Sequence, residues 1–133
     1  MDKQSAPEVR TVKEWHTALN DGDVDRLLSL SHPDVEVGGP RGAGNGSRIL
    51  RDWANRAGIQ LSPERFFLAN ETVIAEQEAA WASPDTGGAT SSQLVASVFV
   101  VRDGFVASVI RYDSLNEALD SVGLNADEAT EVG

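Results

Sequence analysis

The stretch SQLVASVFVVRDGFVASVIRYDSLNEAL, residues 92–119, decides the fold. Two apolar runs rich in valine flank Asp103-Gly104, a dipeptide suited to a two-residue hairpin turn, and Ser114-Leu115-Asn116-Glu117 then opens a helix with a capping-box pattern. A two-residue turn sets Arg102 opposite Phe105, Val98 opposite Val109, Ala96 opposite Arg111 and Leu94 opposite Asp113. One face then holds Leu94, Ala96, Val98, Val100, Ala107, Val109, Arg111 and Asp113, and the other Val95, Ser97, Phe99, Val101, Val106, Ser108, Ile110 and Tyr112. Because both faces are mostly apolar, the hairpin is expected to be covered on both sides. Arg111 and Asp113, two apart on one strand, form the most informative polar pair.

Outward from the hairpin, apolar residues Val9, Val12, Trp15 and Leu19 recur at helical spacing over 8–20, and Asn20-Asp21-Gly22 stops that helix. Asp23 caps a short second helix, 24–31, and His32-Pro33-Asp34 turns the chain into a strand at Val35-Glu36-Val37. The glycine-dense GGPRGAGNGS, residues 38–47, reads as a flexible loop, and a third helix over 47–57 presents Ile49, Leu50, Trp53 and Ala57. Strands follow at 64–69 and 72–82; on the second, Val73, Ala75, Gln77, Ala79 and Trp81 take the core side, while Glu76 and Glu78 share the other, read as a solvated or dimer-rim face. Residues 1–7 are expected to be disordered, 8–122 to form one domain, and 123–133 to be a flexible acidic tail.

The chain has 133 residues, enough for one core, and no cysteine, which removes disulfides, thiol nucleophiles and thiolate metal sites. A net charge of −10 argues against a nucleic-acid partner, although residues 41–65 carry five arginines against two acids. No apolar run is long enough for a membrane span, so a soluble cytoplasmic protein is expected. The histidines, His16 and His32, stand at no metal-ligand spacing and read as surface residues; no metal and no cofactor is expected. The GAGNGS run lacks the third glycine of a dinucleotide fingerprint, and no G-x-S-x-G elbow exists.

The order of these elements, with ALNDGDVDRLLSLSHPDVEV, GNGSRILRDW and FVVRDGFVASVIRYDS, resembles the NTF2-like (nuclear transport factor 2-like) superfamily, and more closely its SnoaL-like and ketosteroid-isomerase-like branches. That resemblance implies an α+β cone: a strongly curved mixed sheet closed by the N-terminal helices around an apolar pocket, dimerising through the outer sheet face. The general-base aspartate of the isomerase branch falls on Val37, its pocket tyrosine on Trp15 and a pocket aromatic on Asp113, which speaks against isomerase chemistry as such. In the SnoaL-like cyclases an acidic base reaches the pocket from the sheet, and Asp113 stands comparably. The expected site therefore has Asp113 as base and Arg111 as electrostatic partner, with Trp15, Val37, Trp53, Val98 and Val109 lining a site for a small hydrophobic carbonyl compound. The alternative is a non-catalytic ligand-binding or dimeric assembly module.

Overall fold

The computed structural model describes residues 7–39, 42–57, 59–69, 71–82, 90–124 and 130–132. Helix α1, Pro7–Asn20, starts on a proline, whose missing N–H costs nothing at that position. It lays Val9, Val12, Trp15, Ala18 and Leu19 on the sheet. Its end is a Schellman turn: Gly22, at φ +71°, lets Gly22 N–H reach Leu19 O and Asp23 N–H reach Ala18 O. Asn20 then clamps the helix to the sheet, donating to Leu61 O and accepting from Leu61 N–H, both at 2.9 Å. Asp23 caps α2, Val24–Ser29, by accepting from Arg26 N–H.

The strands are β1 Ser31–Gly39, β2 Gly42–Asn45, β3 Ile59–Ala69, β4 Thr72–Ala82, β5 Thr90–Arg102, β6 Phe105–Tyr112 and β7 Thr130–Val132; α3, Ser47–Ala57, precedes β3, and α4, Leu115–Ser121, follows β6. They form one curved, unclosed sheet in the order β2-β1-β6-β5-β4-β3-β7, antiparallel except for the β1–β6 pair. The α+β architecture is thus as expected, and β4 takes the expected bounds. The glycine-rich segment differs from the loop expected of it: Gly42–Asn45 pair with β1 as an edge strand. Gly38 allows this pairing, because a Cβ there would stand 2.7 Å from Ala43 Cβ. Of the C-terminal segment, Thr130–Val132 pair with β3, while residues 1–6, 125–129 and 133 lie outside the described residues.

The hairpin turns as the sequence predicts. Arg102 pairs with Phe105, and Asp103 and Gly104 take φ +54° and +83°, the left-handed pair that a two-residue turn between right-twisted strands requires. Beyond it the expected register fails. A β-bulge between Val100 and Val101 leaves Ala107 without a partner, so Val98 faces Ile110, Ser97 faces Arg111 and Ala96 faces Tyr112. The bulge has a packing cause: it brings Val106 and Val109, three apart, onto one face beside Phe99 and Val101, and all four are buried in the same core.

That core lies between the sheet and α1, α2 and α3. A second one lies on the opposite sheet face, where α4 covers Phe67, Ile74, Ala96 and Val98 with Ala118 and Leu119. Ser114 caps α4 through Glu117 N–H, and a Schellman turn at Gly123 brings Leu124 back against this cluster. The doubly apolar hairpin is therefore covered on its outer side, in part, by the chain's own last helix.

Candidate functional site

The register decides which expected site residues meet. Val37 pairs with Val109 across the parallel β1–β6 junction, both buried on the helix-facing side. Arg111, two residues along β6, stays on that side between Ser97 on β5 and Gly39 on β1; a Cβ built on Gly39 would lie 3.8 Å from Arg111 Cβ. Arg111 is half-buried, and no carboxylate among the described residues pairs with it. Asp113 sits in the bend after β6 and is exposed; it makes no ion pair with Arg111. The carboxylate and the guanidinium are thus two residues apart in the chain, without a mutual bond.

Trp15 is fully buried in the helix-side core, with Phe99 edge-on at 5.2 Å, and its Nε1–H donates to Ser31 Oγ, which in turn donates to Leu27 O. Val98 falls on the other side of the sheet, under α4, because the bulge separates it from Val109. The side chains of Trp53 and Trp81 lie outside the described residues. Glu78 is exposed as expected, but Glu76 is not solvated: it accepts from Arg65 Nε–H at 2.9 Å with its side chain 13% exposed, on the face that buries Ile74.

One arrangement was not foreseen. His16 is not a surface residue; it is 2% exposed, ringed by Trp15, Phe66 and Phe99. Its Nδ1 stands 2.8 Å from Val12 O, a carbonyl that can only accept, so Nδ1 carries the hydrogen. Nε2 is then the acceptor for Gln77 Nε2–H at 2.8 Å, and Gln77 Oε1 accepts from Ser97 Oγ–H at 2.9 Å. Every link in the chain Ser97, Gln77, His16, Val12 is thereby directional. Burial lowers the His16 pKa from 6.5 to about 4, only partly opposed by the bond to Val12 O, so the imidazole is neutral at physiological pH.

Two sequence signals pointed to this chain. His16 lies four residues after Val12 on the apolar stripe of α1, and Gln77 is the polar member of the core-facing set Val73, Ala75, Gln77, Ala79. A polar residue on an apolar face needs a buried partner, and each supplies the other's. Ser97 belongs to the same face of β5 and is the cross-strand neighbour of Arg111, so the chain ends beside the half-buried cation. Among the described residues, no three His, Asp or Glu side chains converge as metal ligands, and no helix is long and apolar enough to cross a membrane.

Structures with this arrangement of elements are known. TerC, co-crystallised with polyporic acid, is 20% identical over 80% of this chain and 90% of its own, with a TM-score of 0.72. A candidate polyketide cyclase from Xanthomonas campestris pv. campestris is 25% identical over 88% of this chain and 97% of its own, at a TM-score of 0.69. A candidate SnoaL-like polyketide cyclase from Shewanella putrefaciens CN-32 is 13% identical over 87% and 98%, at 0.73. A search of curated protein sequences finds no match. The SnoaL-like domain family matches residues 12–109, most of the helix-covered sheet and both strands that carry Val37 and Val109, and the chain belongs to that family.

Proposed function

We propose that the protein is a SnoaL-like small-molecule enzyme that moves a proton on a hydrophobic carbonyl compound, in an isomerase, cyclase or hydrolase type of reaction. The compound lies on the helix-facing side of the sheet, beside Val37 and Val109. The observation that carries this reading is Arg111: a guanidinium half withdrawn from water, with no carboxylate partner among the described residues. Such a cation is stabilised when negative charge arrives next to it, and negative charge is what a carbonyl oxygen gains when a neighbouring carbon loses a proton. Asp113, in the exposed bend two residues after Arg111, is the base: its carboxylate takes the proton, the C–H electron pair moves toward the carbonyl, and the resulting oxyanion faces Arg111. That two structural relatives are candidate polyketide cyclases supports this class of chemistry.

Turnover of a panel of apolar ketones and esters tests the assignment. Asp113→Asn is expected to lower kcat by about 10²-fold or more, with the fold kept. Unchanged turnover in that variant would remove Asp113 as the base. The exposure of Asp113 favours one alternative, a ligand-binding or assembly module without catalysis, which would bind members of the panel and convert none. In either case we expect a cytoplasmic homodimer joined through the part of the outer face that α4 leaves open, where Leu94 is 54% exposed and Val100, Ile110 and Tyr112 are half-buried.

A further inference from the structure

Adjacent glycines on β1 differ in what the fold requires of them. At Gly38 a Cβ would meet Ala43 Cβ at 2.7 Å and Gly42 O at 3.0 Å, so the β1–β2 pairing itself demands glycine. At Gly39 the nearest described atoms to a Cβ are Arg111 Cβ at 3.8 Å and Arg111 O at 3.9 Å, ordinary contact distances, and the backbone is not left-handed. The fold would accept a side chain at Gly39. It would project on the helix-facing side, in line with Val35 and Val37, and lie along Arg111. Among the described residues, β1 therefore places no side chain along Arg111.

The surroundings set the chemistry of what fits there. The neighbouring helix-facing residues of β1 and β6, Val37 and Val109, are buried and apolar. The carboxylate of Glu36 points to the opposite side, where it accepts from Ser108 Oγ. Asp113 is exposed and unbonded to Arg111. One guanidinium over an apolar floor matches a group that spreads a single charge over two oxygens in the plane of the fork.

We infer that the ligand held beside Arg111 is an apolar monocarboxylate, with Arg111 binding its carboxylate and Gly39 acting as the specificity-determining residue that leaves room for it. This rests on the placing of the ligand in the function proposed above, and it adds that the carbonyl compound also carries a carboxylate, which shares the five N–H donors of Arg111 with the oxyanion. A neutral amide of the same body loses the charge-assisted pair, and inorganic phosphate lacks the apolar body.

Cyclohexanecarboxylate, cyclohexanecarboxamide and inorganic phosphate are the probes, titrated into 15N-labelled protein while the Arg111 Nε–H signal and the Val37 and Val109 amides are followed. The carboxylate is expected to shift all three sets of signals. It should do so with an affinity at least about tenfold above that of the amide or phosphate, and Arg111→Gln should abolish that difference. Gly39→Ala, which the backbone accommodates, is expected to weaken the carboxylate several-fold, and Gly39→Leu at least about tenfold. Equal binding of acid and amide, tighter binding of phosphate, no binding of the acid, or wild-type affinity in both Gly39 variants with their amide spectra unchanged elsewhere would each overturn the inference. Turnover of neutral ketones without carboxylate binding would overturn it and leave the enzyme reading standing; carboxylate binding without turnover of any panel member would do the reverse.

Discussion

The two faces of this sheet are buried by different means. On the side of α1, α2 and α3, the core encloses polar side chains that bond to one another and to backbone: His16, Gln77, Ser97, Ser31 and the indole N–H of Trp15. Under α4 the buried cluster is apolar throughout: Phe67, Ile74, Ala96, Val98, Ala118 and Leu119. The apolar side gains from contact alone and tolerates small shifts, since dispersion and area burial are not directional. The mixed side is costly if any link is broken, because a buried donor is then left without its acceptor. Directional packing of the second kind fixes the strand beside Arg111, whose cross-strand neighbour is Ser97.

The largest expected effect that sharpens this contrast is on the polar side. Gln77→Leu keeps the volume but strands the Nε2 of His16 and the hydroxyl of Ser97, and about 4 kcal/mol of stability should be lost, measured by denaturant unfolding. A loss below about 1 kcal/mol would mean that the chain is replaceable by ordinary packing, and the contrast between the faces would collapse.

The next effect is a pH dependence. His16 has a folded pKa of about 4 against 6.5 in the unfolded chain, so between those values the unfolded state binds more protons. The contribution is complete above about pH 6.5 and is lost as pH falls toward 4, on the order of 3 kcal/mol in all. His16→Gln should flatten that part of the stability profile. A profile unchanged by the substitution would show that His16 is not the group responsible.

The smallest effect belongs to the apolar side. Leu119→Ala should cost about 2 kcal/mol, at the low end for a buried leucine, because α4 is a short helix that can settle into the space. The loss should be independent of protein concentration, since the cover is supplied by the same chain. A loss that grows on dilution would show instead that a second copy, and not α4, carries most of the burial on that face.

Much of this organisation was legible along the chain. The Asp103-Gly104 turn, the caps at Asp23 and Ser114, and the stops at Gly22 and Gly123 are local: each is decided by a backbone angle or a hydrogen bond within a few residues, and each stands where it was expected. The alternation in β4 likewise placed Gln77 on the core side. The hairpin register did not follow, because nothing local to Ala107 announces a bulge; it arises only when Val106 and Val109 must share one face of a core assembled by helices far away in sequence. His16 was misjudged for the same reason: its burial depends on a partner 61 residues distant.

The sequence by itself determined the elements, their order and the two-sided apolarity of the hairpin, since these depend on side-chain periodicity and on turn chemistry that act over a few residues. Tertiary structure alone decided which residues meet. It moved Arg111 from Ala96 to Ser97, sent Val98 to the opposite face from Val109, brought α4 onto the outer side and closed the chain from Ser97 to His16. Pairing across strands is set by the sum of the packing demands on both faces of the sheet, and a single extra residue, Ala107, is enough to reassign every contact beyond it.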